Sequence, residues 1–246
     1  MWLAVFALFL TVLGAGWLTR FVPTAGTVWM KPLLAFSGAY LFTLTVTHLL
    51  PEALELRAGH QVGYFVLAGF FGQMLLEVFS QGVEHGHVHH HPEHPGHVDQ
   101  VPFMLLFSLG IHSFLEGSIL IKDPVAGDVS HNFYAILTGI ALHHIPAAFA
   151  LMALLQLRLG SFRRALPYLL LFALAGPAGI IISNYVVLDQ LLGTGLYAAL
   201  LGLVAGNFLH VSTTILFETS PDHRLNVRKL LATLAGLLLA LAVDIF

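Results

Sequence analysis

Two short motifs inside apolar stretches combine side chains that bind divalent metals. His112 and Glu116 are four residues apart in one apolar stretch, and His143 and His144 are adjacent in the next one. Residues four apart share a face of an α-helix, so the imidazole of His112 and the carboxylate of Glu116 should point the same way. An ionised group at the bilayer centre costs about 2.5–3.5 kcal/mol even on the mildest insertion scale. The motifs therefore predict a membrane-embedded site for a divalent metal, a proton, or both.

The composition is that of an integral membrane protein. Of the 246 residues, 57% are hydrophobic and 9% are charged, whereas a soluble domain carries about 25% charged residues. The first apolar stretch has no basic residue before it and continues to Arg20 without a small-residue cleavage site, so we interpret it as a retained helix. The chain has no cysteine, which excludes thiolate sites and leaves His, Asp, Glu, Asn or Ser as metal ligands. A net charge of −3 indicates no nucleic-acid partner.

Eight apolar segments approach the length of about 20 residues that a helix needs to cross a bilayer. The predicted helices are 2–20, 33–56, 62–80, 101–121, 132–157, 165–187, 193–217 and 227–245. Eight of the ten Lys and Arg residues fall in connections on one side, and positively charged connections stay in the cytoplasm. We therefore predict one all-α, multi-pass domain over residues 1–246, in the plasma or inner cell membrane, with both termini outside the cytoplasm.

The connection between the third and fourth predicted helices, residues 81–100, is rich in histidine. It contains two prolines and no apolar period, which predicts a cytoplasmic loop. Histidine-rich tracts bind divalent metals weakly and at several places, and a plain polar spacer is the alternative. The loop histidines are His85, His87, His89, His90, His91, His94 and His97.

Other polar side chains lie along the predicted helices at different depths. His48 and Glu52 are near the outer end of the second helix, whereas Glu77, Asn207 and His210 fall in the inner half. Ionisable groups inside a membrane usually mark a pathway, so these residues predict access and release routes for an ion. A histidine hydrogen-bonded between helices is the alternative for His210, and a solvated position is the alternative for Glu77.

These motifs resemble those of the ZIP (Zrt-, Irt-like protein) family of divalent metal transporters, and the resemblance covers nearly the whole chain. Its most specific parts are the segments His112 to Gly117 and His143 to Pro146, and Leu49-Leu50-Pro51-Glu52 also matches. The resemblance implies a 3+2+3 bundle in which the first and last three helices are inverted repeats around helices 4 and 5. It also implies transport by alternating access.

By position, the resemblance implies that His112, Glu116 and His143 bind the transported ion. Ser113 and His144 occupy places that belong to a second ion in two-metal members. The chain departs from the family pattern on helix 5, where Ala147 and Ala148 replace a His and a Glu of many members, and residues 165–187 hold no carboxylate. We therefore predict one bound ion.

The predicted function is transport of a divalent ion toward the cytoplasm, with the lipid bilayer and metal ions as partners and a second copy of the chain as a candidate partner. Imidazole with carboxylate suits Zn²⁺, and Cd²⁺, Fe²⁺, Mn²⁺ and Ni²⁺ are further candidates. No enzymatic activity and no catalytic residue is expected. The alternative is a membrane-embedded zinc-dependent hydrolase, which would draw on His112, His143, His210 and Glu116.

Overall fold

The computed structural model describes residues 1–22, 29–57, 60–80, 102–121, 132–187, 194–218 and 227–242. These residues form eight helices and no strand, which confirms the all-α fold class. The helices are α1 (Trp2–Leu18), α2 (Met30–Leu56), α3 (His60–Ser80), α4 (Phe103–Ser118), α5 (Phe133–Leu159), α6 (Phe162–Ile181, continued by the π-helical turn Ile182–Val187), α7 (Thr194–Glu218) and α8 (Val227–Ala242). The predicted histidine-rich loop, 81–100, lies outside the described residues.

Length and composition allow five of the described helices to cross a membrane: α2, α3, α5, α6 and α7. α1 and α4 are shorter but also apolar. Large hydrophobic side chains cover much of the outer surface, including Phe6, Phe71, Phe107 and Phe217, each more than half exposed. An apolar surface of this extent is stable in contact with lipid and not in water. The chain is therefore an integral, multi-pass membrane protein.

Some helix ends differ from the predicted ones. α2 begins at Met30, three residues early, with Pro32 in its first turn; proline is tolerated there because first-turn N–H groups have no acceptor within the helix. α6 also begins three residues early, because the Ser161 hydroxyl accepts a hydrogen bond from the Arg164 N–H at 3.3 Å and caps the helix. α1 and α4 end two and three residues early, at Leu18 and Ser118.

α5 lies at the centre of the bundle. Of its span, 72% is buried, compared with 17% of the span of α3. α5 packs against α1, α2 and α6, while α4 packs against α6 and α3. α7 packs against α3 and α2, and α8 packs against α2. Helix α5 is thus largely enclosed, whereas α4 is packed on one side, against α3 and α6, and buries its polar face there.

Glycines bring several helix pairs into close contact. A side chain at Gly117 of α4 would collide with the backbone of Gly176 on α6. A side chain at Gly69 of α3 would collide with the backbone of Leu203 on α7, and one at Gly206 of α7 would collide with that of Val66. Small residues allow this close approach, on which helix association in lipid depends. These crossings determine how α4 and α7 are rotated toward their neighbours.

Replacing Gly206 by valine should destabilise the fold. The new Cβ would meet the carbonyl oxygen of Val66 and the amide nitrogen of Phe70, and backbone atoms in the middle of α3 cannot give way separately. Overpacking of this kind costs about 1–3 kcal/mol, so the thermal unfolding temperature in detergent should fall. Gly72→Val is the matched control, because nothing lies within 4 Å of a Cβ at Gly72. Equal unfolding temperatures for both variants would contradict the close-packing account.

Candidate metal site

Three buried side chains from two helices converge on one point. α4 supplies His112 and Glu116, which are one helical turn apart, and α5 supplies His143. Each offers a ligand atom, and these atoms lie within 4.8 Å of one another. The relative exposure of the three residues is 3% or less. Among the described residues, this is the one group of three His, Cys, Asp or Glu side chains with such spacing.

The Glu116 carboxylate is shared between two histidines. Its Oε1 lies 3.2 Å from Nε2 of His112, and its Oε2 lies 2.6 Å from Nε2 of His144. The His144 ring also packs against the Phe172 ring of α6, with 5.8 Å between centroids. His144 therefore holds the side of the carboxylate that faces α6, while the other oxygen is left for the three-residue group.

The charge of the group favours a cation. Within the described ranges, the ion-pair partners of Glu116 are His112 and His144, and neutral imidazoles leave the carboxylate charge uncompensated. Within the same ranges, Glu116 Oε1 and His112 Nε2 are both buried and have no partner with hydrogen-bond geometry. Buried polar atoms of this kind call for a ligand, water or ion, and a divalent cation would also offset the charge.

The other ring nitrogen of His112 is held by two buried amides. Nδ1 lies 3.1 Å from Oε1 of Gln73 on α3 and 3.2 Å from Nδ2 of Asn207 on α7. Metal-binding histidines commonly hydrogen-bond through the nitrogen that does not bind the metal. Asn207, predicted as a release-route residue, thus contacts His112. Gln73 was not among the predicted site residues. The sequence feature that could have indicated it is an amide side chain one turn before Glu77 in an apolar stretch of α3.

Ser113 is not part of the three-residue group. It is buried on α4, but its hydroxyl faces the α6 crossing, where a Cβ at Gly176 would lie 3.1 Å from Ser113 Oγ. Ser113 directly follows His112, and successive residues on a helix point about 100° apart. The structure therefore places Ser113 at the contact between α4 and α6.

Glu77 and His210 form a second acid–imidazole pair, between α3 and α7. Glu77 Oε2 lies 2.6 Å from His210 Nε2, and the edge of the Phe70 ring packs on the imidazole with 5.0 Å between centroids. Glu77 is thus paired as well as partly exposed, and His210 is buried between helices. The pair lies one helical turn from Gln73 on α3 and one turn from Asn207 on α7.

The two residues predicted to lie near the outer side, His48 and Glu52, are located where α2 meets α7. His48 is buried in the π-helical turn Thr45–Leu49, with Nδ1 2.6 Å from the Thr47 hydroxyl. This turn precedes Pro51, which lacks the N–H that would bond to the Thr47 carbonyl. Glu52 accepts a hydrogen bond from the Tyr197 hydroxyl of α7 at 3.2 Å.

Comparison with known proteins agrees with this geometry. The ZIP zinc transporter family matches residues 84–244, which include all three residues of the buried group. This chain belongs to the ZIP zinc transporter family. The resemblance that the motifs on α4 and α5 indicate is therefore confirmed, and family membership supports divalent metal transport rather than catalysis.

Two relatives in the ZIP family differ in how much they share with the chain. Zinc transporter ZIP1 of Danio rerio is 26% identical, and the match covers 77% of this chain and 77% of that protein. Protein zntD of Dictyostelium discoideum is 28% identical, and the match covers 59% of this chain. The chain spans only 22% of the length of zntD.

Proposed function

We propose that this protein transports zinc across the plasma or inner cell membrane toward the cytoplasm, and that His112, Glu116 and His143 hold the ion on its way. The convergence of two imidazoles and one carboxylate in a buried group supports the proposal. This set of ligands suits Zn²⁺, with nitrogen about 2.0–2.1 Å from the ion. Cd²⁺, Fe²⁺, Mn²⁺ and Ni²⁺ accept the same ligand types and are further candidate substrates.

Three protein ligands suit a site that must also release its ion. Structural zinc sites are closed by four protein ligands, whereas a site with three leaves a position for water. His144 and Ser113 then have secondary roles, because one contacts Glu116 and the other faces α6. We propose that a single ion occupies the group.

The helix pairing supports a 3+2+3 inverted repeat, and the Lys and Arg count of the connections supports termini outside the cytoplasm. In such a repeat, α1, α2 and α3 correspond to α6, α7 and α8, and α4 corresponds to α5. The α3–α7 contact then corresponds to the α8–α2 contact. The α1–α5 contact likewise corresponds to the α6–α4 contact. All four contacts are present. Inverted repeats of this kind underlie alternating access around a site at the middle of the membrane.

The remaining polar residues suggest a route for the ion. His48 and Glu52 would receive it at the outer side, where α2 meets α7. Glu77 lies one turn before the end of α3 and would receive it with His210 on the inner side. On this route the three-residue group stands between an outer and an inner acid–imidazole pair.

The hydrolase alternative has less support. It requires His210 as a third metal-binding histidine beside His112 and His143, but His210 pairs with Glu77 on α3. The three-residue group does not include it.

Uptake into proteoliposomes tests the proposed function. Purified protein in vesicles that contain a zinc-sensitive dye should give saturable Zn²⁺ uptake, because a discrete site limits the rate. A panel with Cd²⁺, Fe²⁺, Mn²⁺ and Ni²⁺ should rank Zn²⁺ first. Vesicles sorted by protein orientation should accumulate the ion when the cytoplasmic side faces inward. Uptake no faster than in protein-free vesicles for every ion would refute the proposal.

We further propose that the histidine-rich loop collects or senses metal in the cytoplasm and is not part of the conduction path. Deleting residues 85–97, which removes the seven loop histidines, should lower the zinc bound at equilibrium and leave the transport rate within about twofold, since loop tips tolerate deletion. Replacing the seven histidines by serine at unchanged loop length is the matched control. Loss of transport in both folded variants would place the loop in the path.

A further inference from the structure

One nitrogen of His112 faces two amides of opposite hydrogen-bonding character. Gln73 presents its oxygen, Oε1, and Asn207 presents its nitrogen, Nδ2, to the same Nδ1 atom at 3.1 and 3.2 Å. An amide oxygen can only accept a hydrogen bond, and an amide nitrogen can only donate one. Nδ1 of a neutral imidazole either carries a proton or offers a lone pair. Each amide therefore fits one of the two neutral tautomers of His112.

The two tautomers would suit a loaded and an empty metal site. When Nδ1 carries the proton, it donates to Gln73, and the lone pair of Nε2 faces Glu116 and His143, ready for a metal ion. When Nε2 carries the proton, it faces Glu116 Oε1 at 3.2 Å, and Nδ1 accepts from Asn207. The ring holds one proton in both states, so its charge is the same in each. Conversion requires Nε2 to take a proton from water that enters as the ion leaves, and Nδ1 to give its proton to water.

We propose that Gln73 and Asn207 form a tautomer switch on His112, in which Gln73 favours metal binding and Asn207 favours metal release. The proposal rests on the proposed function, in which His112 is a ligand of the transported ion. Both amides are positioning residues, because they act through the imidazole. If only an acceptor contacted Nδ1, the site would bind the ion more tightly and release it more slowly. A transporter must both bind its ion and release it.

Because the site is buried, the two amides determine the hydrogen bonding of His112 Nδ1. Gln73 and Asn207 are each 1% exposed and His112 is 3% exposed, so bulk water cannot replace either amide at Nδ1. The amides also come from two helices, α3 and α7, that are packed together through Gly69 and Gly206. A shift between α4 and this helix pair would change which amide is closer to Nδ1, which would couple helix movement to metal affinity.

Removing the two amides separately should change transport in opposite ways. Gln73→Met keeps the side-chain length without the acceptor, so the half-saturating Zn²⁺ concentration in proteoliposomes should rise. The rise should be about 10–100-fold, the loss that follows removal of an outer hydrogen-bond partner at a metal site, and the maximal rate should persist. Asn207→Leu removes the donor, so Zn²⁺ should bind more tightly in detergent, and the maximal rate should fall by roughly tenfold.

Conservative variants separate the switch from a packing effect. Gln73→Glu keeps an acceptor at Nδ1 and should restore tight Zn²⁺ binding. Asn207→Asp replaces the donor by an acceptor of similar size and should tighten binding as Asn207→Leu does. Ser37→Ala is the matched control: it removes the 3.1 Å hydrogen bond from buried Ser37 to the Leu34 carbonyl within α2, which does not join α4 to α3 or α7. It should leave the half-saturating concentration unchanged.

The result that would overturn the switch is a shift of Zn²⁺ affinity in the same direction for Gln73→Met and Asn207→Leu, or no shift in either. Binding by Gln73→Glu as weak as by Gln73→Met would also overturn it. His112→Ala distinguishes these results from failure of the proposed function. Wild-type transport by His112→Ala would refute the metal site itself, whereas an inactive His112→Ala beside an unshifted Gln73→Met would refute only the switch.

Discussion

Replacing Glu116 by glutamine should abolish zinc transport and leave a folded protein in detergent. Glu116 supplies the only negative charge of the three-residue group, and its neighbours His112 and His144 contribute imidazoles rather than a second anion. The amide has nearly the same shape, so helix packing is kept while the attraction for a divalent cation is lost. We expect the transport rate to fall by more than the roughly 10–100-fold that loss of an outer hydrogen-bond partner costs a metal site.

Glu55→Gln is the matched control for this substitution. It makes the same chemical change at an exposed carboxylate on α2, outside the proposed route. Initial rates of Zn²⁺ uptake into proteoliposomes measure both variants, and size-exclusion profiles in detergent show whether each is folded. Transport by Glu116→Gln at the rate of Glu55→Gln would mean that the carboxylate is not a ligand.

Alanine substitutions of the adjacent histidines His143 and His144 on α5 should affect the transport rate differently. His143→Ala removes a member of the group and should stop transport. His144→Ala removes a hydrogen bond to Glu116 and should slow transport severalfold, because the carboxylate loses orientation and the group keeps its three ligands. The residues are neighbours in sequence and equally buried, so each serves as a control for the other in the same uptake assay. Loss of transport in His144→Ala with normal transport in His143→Ala would reverse the assignment.

The same contrast predicts the number of ions in the site. Anomalous scattering at the zinc edge, from crystals grown with zinc, should show one peak at the three-residue group. His144→Ala should keep this peak and His143→Ala should lose it. Two adjacent peaks of full occupancy between α4 and α5 would mean that His144 binds a second ion.

Much of the fold follows from the sequence because the bilayer constrains it strongly. Backbone groups in lipid must be hydrogen-bonded internally, so long apolar stretches become helices, and eight helices are present among the described residues. Their ends follow less directly, as α2 shows: Pro32 looks like a boundary and lies inside the first turn. The π-helical turn Thr45–Leu49 has no apolar pattern of its own, although Pro51 after it removes a helical N–H donor.

The candidate site was also predictable from the sequence only in part. His112 and Glu116 could be paired from the sequence, because four-residue spacing on one helix places them on one face. That His143 meets them, while His144 turns to the far side of Glu116, depends on the rotation of α5 relative to α4. That rotation follows from packing between helices, for which sequence spacing carries no signal.

The contacts of His112 with Gln73 and Asn207 were decided by the tertiary structure alone. The two amides come from helices far apart in the chain, and α3 and α7 meet because Gly69 and Gly206 let their backbones approach. Sequence determined the helices, the ligand types and the family of this protein, since these depend on local composition and spacing. The tertiary structure decided which side chains share one ring nitrogen, since that depends on the rotation and depth of three helices packed together.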